Sequence, residues 1–193
     1  MKKLIREIAE LIPGVNQSRV DKLGNDENSC FYDQRMFEAD LNEMYKNVHL
    51  ITNSFEEPSY VLNAGDIVIS NSMQLATIVG SSVKQRILTL NFVKVKLDND
   101  IDKAYFVYLF NLNKEIQKQK EKETQSMGVV QRITLRSLES IEIPILKKEQ
   151  CKRIGNVYVE MLRNQDNLNR YVDLIGMLTY SMLEQSLGGK NNE

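Results

Sequence analysis

The feature that most constrains the fold is a proline-free stretch from Lys147 to about Leu187. Its apolar residues recur at alternating steps of three and four, the spacing that places side chains along one seam of a coiled-coil helix. At about 1.5 Å per residue such a helix is roughly 60 Å long, more than a small domain can cover. The stretch therefore predicts a helix over 147–187 that pairs with another helix through the following seam: Ile154, Val157, Met161, Asn164, Leu168, Tyr171, Ile175, Leu178 and Met182.

Asn164 is the polar member of this seam. A buried asparagine costs stability but can fix the register and the oligomeric state of a coiled coil. The alternative is that the helices splay at this position and water reaches the amide. In a parallel pair Asn164 would face its own copy, whereas antiparallel pairing about the centre of the seam would place it nearer Ile175. The residues alone therefore favour a parallel pair.

The residues before this helix predict a short helix and then a small sheet. Apolar spacing from Lys2 to Leu11 indicates an amphipathic helix, which Pro13-Gly14 would end because proline lacks the amide donor and glycine accepts positive φ. Between Tyr45 and Lys96, short apolar runs separated by turn residues predict strands in VHLIT, YVL, DIVIS, ATIV, ILTL and FVKVK. In FVKVK apolar residues alternate with lysine, as in a strand half exposed to water.

Helical spacing returns from Asp102 to Glu121, with an apolar side formed by Tyr105, Leu109 and Leu112. The expected fold class is α+β. A small mixed β-sheet domain with flanking helices would occupy 1–146, the coiled-coil helix 147–187, and a disordered tail 188–193.

Composition excludes several classes of protein. The net charge of −1 gives no overall attraction to nucleic acid, so any such role would depend on local basic patches. The N-terminus begins like a secretory signal, but Arg6, Glu7 and Glu10 interrupt the apolar region that a signal needs. No run approaches the roughly 18 apolar residues of a membrane span. Cys30 and Cys151 lack metal-ligand or disulfide-framework spacing, which predicts a cytoplasmic protein with reduced thiols.

Residues for catalysis or metal binding are not found in a convincing arrangement. His49, the sole histidine, lies in the apolar run VHLIT and is expected to be a hydrogen-bonded strand histidine rather than a base. Gly188-Gly189-Lys190 lacks the strand and the helix that would make it a phosphate loop, and Glu56-Glu57 beside Pro58 indicates a solvated turn. The chain is therefore expected to be non-catalytic, with no metal site.

Basic residues supply a candidate nucleic-acid surface. If they share one face they can contact phosphates, although an ordinary solvated strand face is the alternative. Gln131 and Arg132 add side chains that can read base edges bidentately. The phosphate candidates are Lys84, Arg86, Lys94, Lys96 and Arg136.

The segment GVVQRITLRSLESIEIPILKKEQCKRI, from Gly128 to Ile154, resembles the end of a target recognition domain in the specificity subunit of type I restriction-modification systems. In that family a polar loop opened by glycine leads through a short helix into a strand ending in proline, after which Glu-Gln opens a long helix. GDIVIS, ILTLNFVKVK and YFVYLFN resemble the sheet and the following helix of the family. The resemblance covers roughly residues 60 to 185.

The resemblance implies a domain that reads double-stranded DNA and a spacer helix that contacts adenine methyltransferase subunits. S-adenosylmethionine would bind to that partner, and this chain would hold no cofactor. Asn71, Ser72, Gln131 and Arg132 are the candidates near bases.

The chain departs from the family in length, because the usual specificity subunit carries two recognition domains and two spacer helices. Two copies of this chain would restore that architecture, each reading one half of a bipartite site. The spacer helices of the family run antiparallel, so the resemblance favours an antiparallel homodimer over the parallel pair. The alternative function is a coiled-coil protein-interaction scaffold without DNA specificity.

Overall fold

A computed structural model of the chain describes residues 1–16, 31–50, 58–81, 86–124 and 132–188. The chain divides into two compact units, Met1–Val159 and Glu160–Glu193. In the described residues the strands are β1 (Lys2–Leu4), β2 (Ala9–Pro13), β3 (Phe31–Tyr32), β4 (Val61–Leu62), β5 (Ile67–Ser70), β6 (Leu75–Ile78), β7 (Arg86–Leu88), β8 (Phe92–Leu97) and β9 (Glu142–Pro144). The helices are α1 (Gln34–Asn42), α2 (Met44–Asn47), α3 (Lys103–Leu112), α4 (Lys114–Thr124), α5 (Leu135–Ser140) and α6 (Lys148–Gly188).

Strand β8 lies inside a four-stranded antiparallel sheet with the order β2-β8-β5-β6. A second sheet has the order β3-β7-β4, in which β3 is parallel and β4 antiparallel to β7. Strands β1 and β9 form a separate antiparallel pair. These small sheets, with flanking helices and a long C-terminal helix, confirm the predicted α+β class.

Aromatic and branched side chains from both larger sheets form one core. The Tyr32 ring meets the Phe92 ring edge-on at a centroid distance of 5.3 Å, and the Phe37 ring lies 5.6 Å from Phe92. Burying each such side chain contributes about 1.5–3 kcal/mol. The core therefore fixes β3, α1 and β8 to one another, together with the strands that supply its other members, which include Leu62, Val68, Val79 and Leu88.

The predicted helix from Lys2 to Leu11 is wrong. The segment forms β1, a single 3-10 turn at Ile5–Glu7, and β2. The apolar spacing of this segment is compatible with both a helix and a strand. Pairing with β9 and β8 decides for strands, because it gives the backbone interstrand hydrogen bonds and packing that an isolated short helix lacks. Pro13 is tolerated at the end of β2 because β2 is an edge strand.

The predicted helix from Asp102 to Glu121 is divided into α3 and α4 at Asn113. The backbone of Asn113 is extended, with φ −68° and ψ 122°. Its Oδ1 accepts hydrogen bonds from the backbone N–H groups of Glu115 at 3.1 Å and Ile116 at 3.3 Å, which caps α4. The break leaves Leu112 50% exposed, so Leu112 does not belong to the predicted apolar side.

Helix α6 has 41 residues and begins at Lys148. In the first unit it packs against α3, where the Tyr158 ring lies 5.6 Å from the ring of Tyr108 and Cys151 is buried. In the second unit the apolar seam residues are exposed, and Leu168 has 64% of its surface accessible. The exposed apolar seam positions of this unit are Met161, Leu168, Tyr171, Ile175, Leu178 and Met182. Val157, the seam position in the first unit that precedes them, is exposed as well.

Replacing Gly155 by alanine is expected to weaken the packing of α6 on α3. An added Cβ would overlap Oδ1 of Asp102 and lie 3.0 Å from the backbone N of Tyr105. Asp102 is the N-cap of α3, since its Oδ1 accepts from Tyr105 N–H at 2.9 Å. We expect Gly155→Ala to lower the free energy of unfolding by about 1–3 kcal/mol, measured by urea denaturation.

Gly176→Ala is the matched control, because an added Cβ there meets no atom within 4 Å. Alanine has a higher helix propensity than glycine by about 1 kcal/mol, so stability should hold or rise. Equal losses in the two variants would contradict a specific contact at Gly155.

Candidate nucleic-acid interface

Strand ends and turns converge at one edge of the central sheet. Strand β5 ends at Ser70 opposite Phe92, the first residue of β8, while β2 ends at Pro13 opposite Val93. The turn after β5 therefore lies beside the turn that leads into β8. This arrangement follows from the antiparallel pairing of β8 with both neighbours.

Asn71 joins three chain segments at this edge. Its backbone N–H donates to the carbonyl of Asn91 at 2.9 Å, and its Nδ2 donates to the carbonyl of Leu90 at 3.3 Å. Its own carbonyl accepts from the N–H of Ile133 at 3.0 Å. The residues that follow β5, β7 and α4 are consequently held side by side.

We name the segments 71–74, 89–91 and 132–134 the loop edge. It brings together the predicted residues Asn71, Ser72 and Arg132. Ser72 and Arg132 are exposed, whereas Asn71 is half-buried and bonded within the chain. Gln131 lies outside the described residues. Asn71 is therefore a positioning residue, and Ser72 and Arg132 are the predicted base contacts that remain accessible.

Lys120 supports the turn after β5 from inside the domain. Its Nζ donates to the carbonyls of Gln74 and Phe110, both at 2.8 Å, and lies 4.4 Å from the centroid of the Phe110 ring. Burial lowers the pKa of Lys120 to about 8. Gln74 has φ 56°, a left-handed conformation that costs a non-glycine residue about 1 kcal/mol or more. The charged donor helps to hold this turn in its strained shape.

Arg136 lies in the first turn of α5, immediately after the loop edge, and is exposed. The helix is fixed by Thr134, whose Oγ1 accepts from the N–H of Ser137 at 3.1 Å. The hydroxyl of Ser137 donates to Glu123 at 2.9 Å, which links α5 to α4. The guanidinium of Arg136 is thus available to an anion on a helix that is anchored at its start.

Lys94 is not the half-exposed strand residue that its alternation with valine predicts. Its Nζ forms an ion pair with Asp66 at 2.7 Å and donates to the carbonyl of Val61 at 2.9 Å. Only 13% of the Lys94 side chain and 5% of that of Asp66 are exposed. The reason is tertiary, because β8 is central and Asp66 precedes its neighbour β5. In this structure the Lys94 charge is held by a protein carboxylate.

The other predicted phosphate contacts lie apart from the loop edge along the strands. Lys96 is exposed near the far end of β8 and forms a surface ion pair with Glu10 at 3.7 Å. Arg86 begins β7 and is half-buried, with an Nε that has no hydrogen-bond partner in the described residues. Lys84 lies outside the described residues.

Asp66 also influences a second partly buried lysine. Lys103 donates from Nζ to the carbonyls of Gly65 at 2.6 Å and Leu50 at 3.3 Å. Burial lowers the pKa of Lys103, and the charge of Asp66 partly opposes this shift. The polar cluster of Lys94, Asp66 and Lys103 therefore stabilises the start of β5 rather than presenting free cations.

Asp40 is a buried acid that organises the end of β6. Its carboxylate accepts from the hydroxyl of Tyr32 at 2.8 Å and from the N–H of Gly80 at 2.9 Å. Burial raises the pKa of Asp40, while these two hydrogen bonds oppose the rise. A Cβ at Gly80 would lie 2.7 Å from Asp40 Oδ1, so a larger residue there would displace this carboxylate. These contacts give Asp40 a structural role.

His49 is exposed in the turn after α2, so its prediction as a strand histidine is wrong. The rest of the predicted strand, from residue 51, lies outside the described residues, as do Glu56-Glu57, Gly189-Lys190 and Cys30. Cys151 is a buried free thiol. Among the described residues no cluster of histidine, cysteine and carboxylate side chains could hold a metal ion. No helix in the same residues combines the length and apolarity needed to cross a membrane.

Leu90 and Asn91 are exposed members of the loop edge that the sequence did not single out. The run ILTL predicts a strand through Leu90, but β7 ends at Leu88 and the chain turns before Phe92. Asn91 is the local signal for this turn, because asparagine favours turns over strands. The structure therefore adds one apolar and one amide side chain to the accessible face.

Solved chains from type I restriction-modification systems share this fold. One, from work on complex assembly and conformational transition of a type I system, matches 96% of this chain and 44% of its own length, with a TM-score of 0.59 and 16% identity. The HsdS subunit from Thermoanaerobacter tengcongensis matches 89% of this chain and 39% of its own, with a TM-score of 0.55 and 14% identity. The S subunit from M. genitalium matches 93% and 42%, with a TM-score of 0.50 and 15% identity.

Two of these structural neighbours are S subunits and the third is a chain from a type I restriction-modification system, and this chain has their fold. This chain spans between 39% and 44% of the length of the solved chains. No protein-family model matches the sequence, and no curated protein matches it. The predicted resemblance is confirmed for the fold.

Replacing Lys94 by alanine is expected to destabilise the domain, because the buried carboxylate of Asp66 would lose its ion-pair partner. Removing one member of a buried pair costs about 3–5 kcal/mol. The matched control is Lys96→Ala on the same strand, where the pair with Glu10 is exposed and contributes about 0–1 kcal/mol. Thermal denaturation should show a large loss of Tm for Lys94→Ala alone. Equal stability of the two variants would contradict the structural role of Lys94.

Proposed function

We propose that this chain is a non-catalytic DNA-recognition subunit that directs adenine-N6 methyltransferase subunits to a bipartite DNA site. The observation that carries the proposal is the fold shared with type I restriction-modification chains over 96% of this chain. The loop edge supports it, because accessible polar and cationic side chains converge there on a fixed backbone. The proposed complex acts on DNA in the cytoplasm.

The loop edge is the proposed base-reading surface. Arg132 can donate two parallel hydrogen bonds to guanine, and the hydroxyl of Ser72 can donate or accept. Arg136 follows on α5 and is proposed to contact a phosphate. Lys96 and Arg86 remain candidates for phosphates farther along the duplex, as do Lys84 and, for bases, Gln131. Lys94 is assigned to the fold instead.

A second copy of this chain is the proposed partner of the exposed seam on α6. The solved specificity subunits are more than twice as long as this chain, and two copies would supply a comparable length. The apolar side chains of the seam are exposed in the single chain. Their burial against a second helix would stabilise the pair. In line with the family resemblance, we propose an antiparallel isologous pair, which would carry one recognition domain at each end.

The methyltransferase subunits are the proposed partners that perform the chemistry. They would bind S-adenosylmethionine and modify adenine within the sequence that the dimer selects. This chain would contribute the choice of site and the spacing between half-sites. Identical domains related by a two-fold axis read inversely repeated half-sites, so the proposed target is symmetric.

Replacing Leu168 by aspartate is expected to dissociate the dimer, because the change places an unpaired charge inside the apolar seam. The cost of several kcal/mol corresponds to more than about 100-fold weaker association. The matched control is Asn169→Asp, an exposed neighbour outside the seam. Sedimentation velocity over a range of concentrations measures both. A wild-type chain that remains monomeric, or equal behaviour of the two variants, would rule out this seam as the dimer interface.

Mapping N6-methyladenine in the source cell, with and without this chain, tests the proposed function directly. We expect one bipartite, inversely repeated motif to lose its methylation when the chain is absent. Arg132→Ala should lower the methylated fraction of that motif, because a bidentate base contact contributes about 1–3 kcal/mol. Arg6→Ala is the control. Arg6 is exposed and precedes the start of β2, whereas the loop edge lies at the end of that strand.

An unchanged methylation pattern, in cells shown to contain both this chain and a methyltransferase subunit, would contradict the proposed function. Loss of an asymmetric motif would instead mean that the chain pairs with a different specificity subunit. Equal effects of the two arginine variants would remove Arg132 from the base-reading surface.

A further inference from the structure

Leu90 presents an apolar side chain to solvent in the middle of a polar surface. Its surface is 58% exposed at the turn between β7 and β8. The accessible residues around it in the loop edge are Ser72, Asn91 and Arg132. An exposed leucine contributes little to the stability of the fold. Its neighbours are too polar and cationic to form an apolar protein-docking patch with it.

The backbone that carries Leu90 is fixed on both sides. The Leu90 carbonyl accepts from Asn71 Nδ2 at 3.3 Å, and the Asn91 carbonyl accepts from Asn71 N–H at 2.9 Å. The preceding Thr89 is buried, and its carbonyl accepts from the N–H of Phe92 at 3.0 Å, which closes the turn. The turn therefore holds Leu90 and Asn91 in place before any ligand arrives, which reduces the entropy lost on binding.

Thr89 is itself held by the core. Its Oγ1 donates to the carbonyl of Tyr32 at 3.3 Å, and Val15 forms a bridge with it from the residues that follow β2. Gly14 passes so close to Thr89 that a Cβ would overlap the Thr89 carbonyl. The position of Leu90 is thus determined by contacts from β3 and from the chain after β2, in addition to Asn71.

Asn91 places an uncommitted amide next to this leucine. It is exposed, and its side chain makes no hydrogen bond within the described residues. An amide can pair bidentately with N6 and N7 of adenine in the major groove, and an apolar side chain can contact the methyl group of thymine there. An A·T base pair presents both groups to the same groove.

We propose that Leu90 and Asn91 read A·T base pairs in the major groove, with Leu90 against a thymine methyl group and Asn91 on adenine. This inference rests on the proposed function and adds two specificity-determining residues to it. The hydrogen bond between Ile133 and Asn71 holds the preceding residue, Arg132, beside this turn. Its guanidinium supplies a positive charge next to the two residues. Asn71 acts through its neighbours, as the residue that positions the β7–β8 turn.

The test is a selection of duplex DNA from a random library by the purified full chain. The wild type should enrich a motif that contains at least one A·T position per half-site. Leu90→Ala should weaken the preference at an A·T position and leave the other positions unchanged. The matched control is Leu112→Ala, since Leu112 is comparably exposed on α3 outside the loop edge. Its motif should equal that of the wild type.

Substitution of uracil for thymine then removes the single methyl group at the affected position. Wild-type affinity should fall about fourfold, the loss expected for one buried methyl group, whereas Leu90→Ala should show no further loss. Asn91→Ala should lose the preference for adenine while keeping its sensitivity to uracil. Melting curves for each variant establish that the fold is intact.

The outcomes separate the two proposals. If the wild-type chain enriches a motif and Leu90→Ala enriches the same motif with equal strength, the role of Leu90 is wrong and the proposed function stands. An equal uracil penalty in both chains has the same meaning. If the wild-type chain enriches no motif, the proposed function fails and the inference falls with it.

Discussion

The pairing of β8 with strands on both sides is the constraint on which the rest of the domain depends. Because β2 and β5 both run antiparallel to β8, the end of each lies beside the start of β8. The turn after β5 must then lie beside the turn that leads into β8, and Asn71 bonds from the first to Leu90 and Asn91 in the second. The same pairing places Lys94 beside Asp66, with which it forms a largely buried ion pair. The accessible loop edge and the buried ion pair therefore both follow from the antiparallel pairing of β8 with its two neighbours.

Much of the architecture could be predicted from local patterns. The long helix and most of the strands between Val61 and Leu97 follow from periodicities that a few neighbouring residues reveal. The N-terminal helix failed because its apolar spacing also suits strands, and the decision came from β9, more than a hundred residues away along the chain. The division at Asn113 was likewise decided by a cap that periodicity does not register.

The candidate site was less accessible to sequence reasoning. Residue type indicated Arg132, and Ser72 was added once the resemblance was recognised, but their meeting at one edge depends on a hydrogen bond between Asn71 and Ile133. Alternation predicted a strand half exposed to water, but it could not reveal Asp66, which pairs with Lys94. Leu90 was overlooked because a leucine in an apolar run is normally assigned to a core, and its exposure is a tertiary fact. Pattern identifies elements, whereas a surface is defined by contacts between them.

The loop edge separates the residues that hold its shape from those that face outward. Hydrogen bonds from Thr89, Asn71 and Lys120 fix the backbone. The side chains of Ser72, Leu90 and Arg132 are exposed and do not belong to the core. Outward residues can therefore be exchanged during evolution at little expense in stability. In a dimer of identical chains, each exchange would alter both half-sites at once. Such a protein would acquire new targets in symmetric pairs of positions, whereas a chain with two different domains can change one half alone.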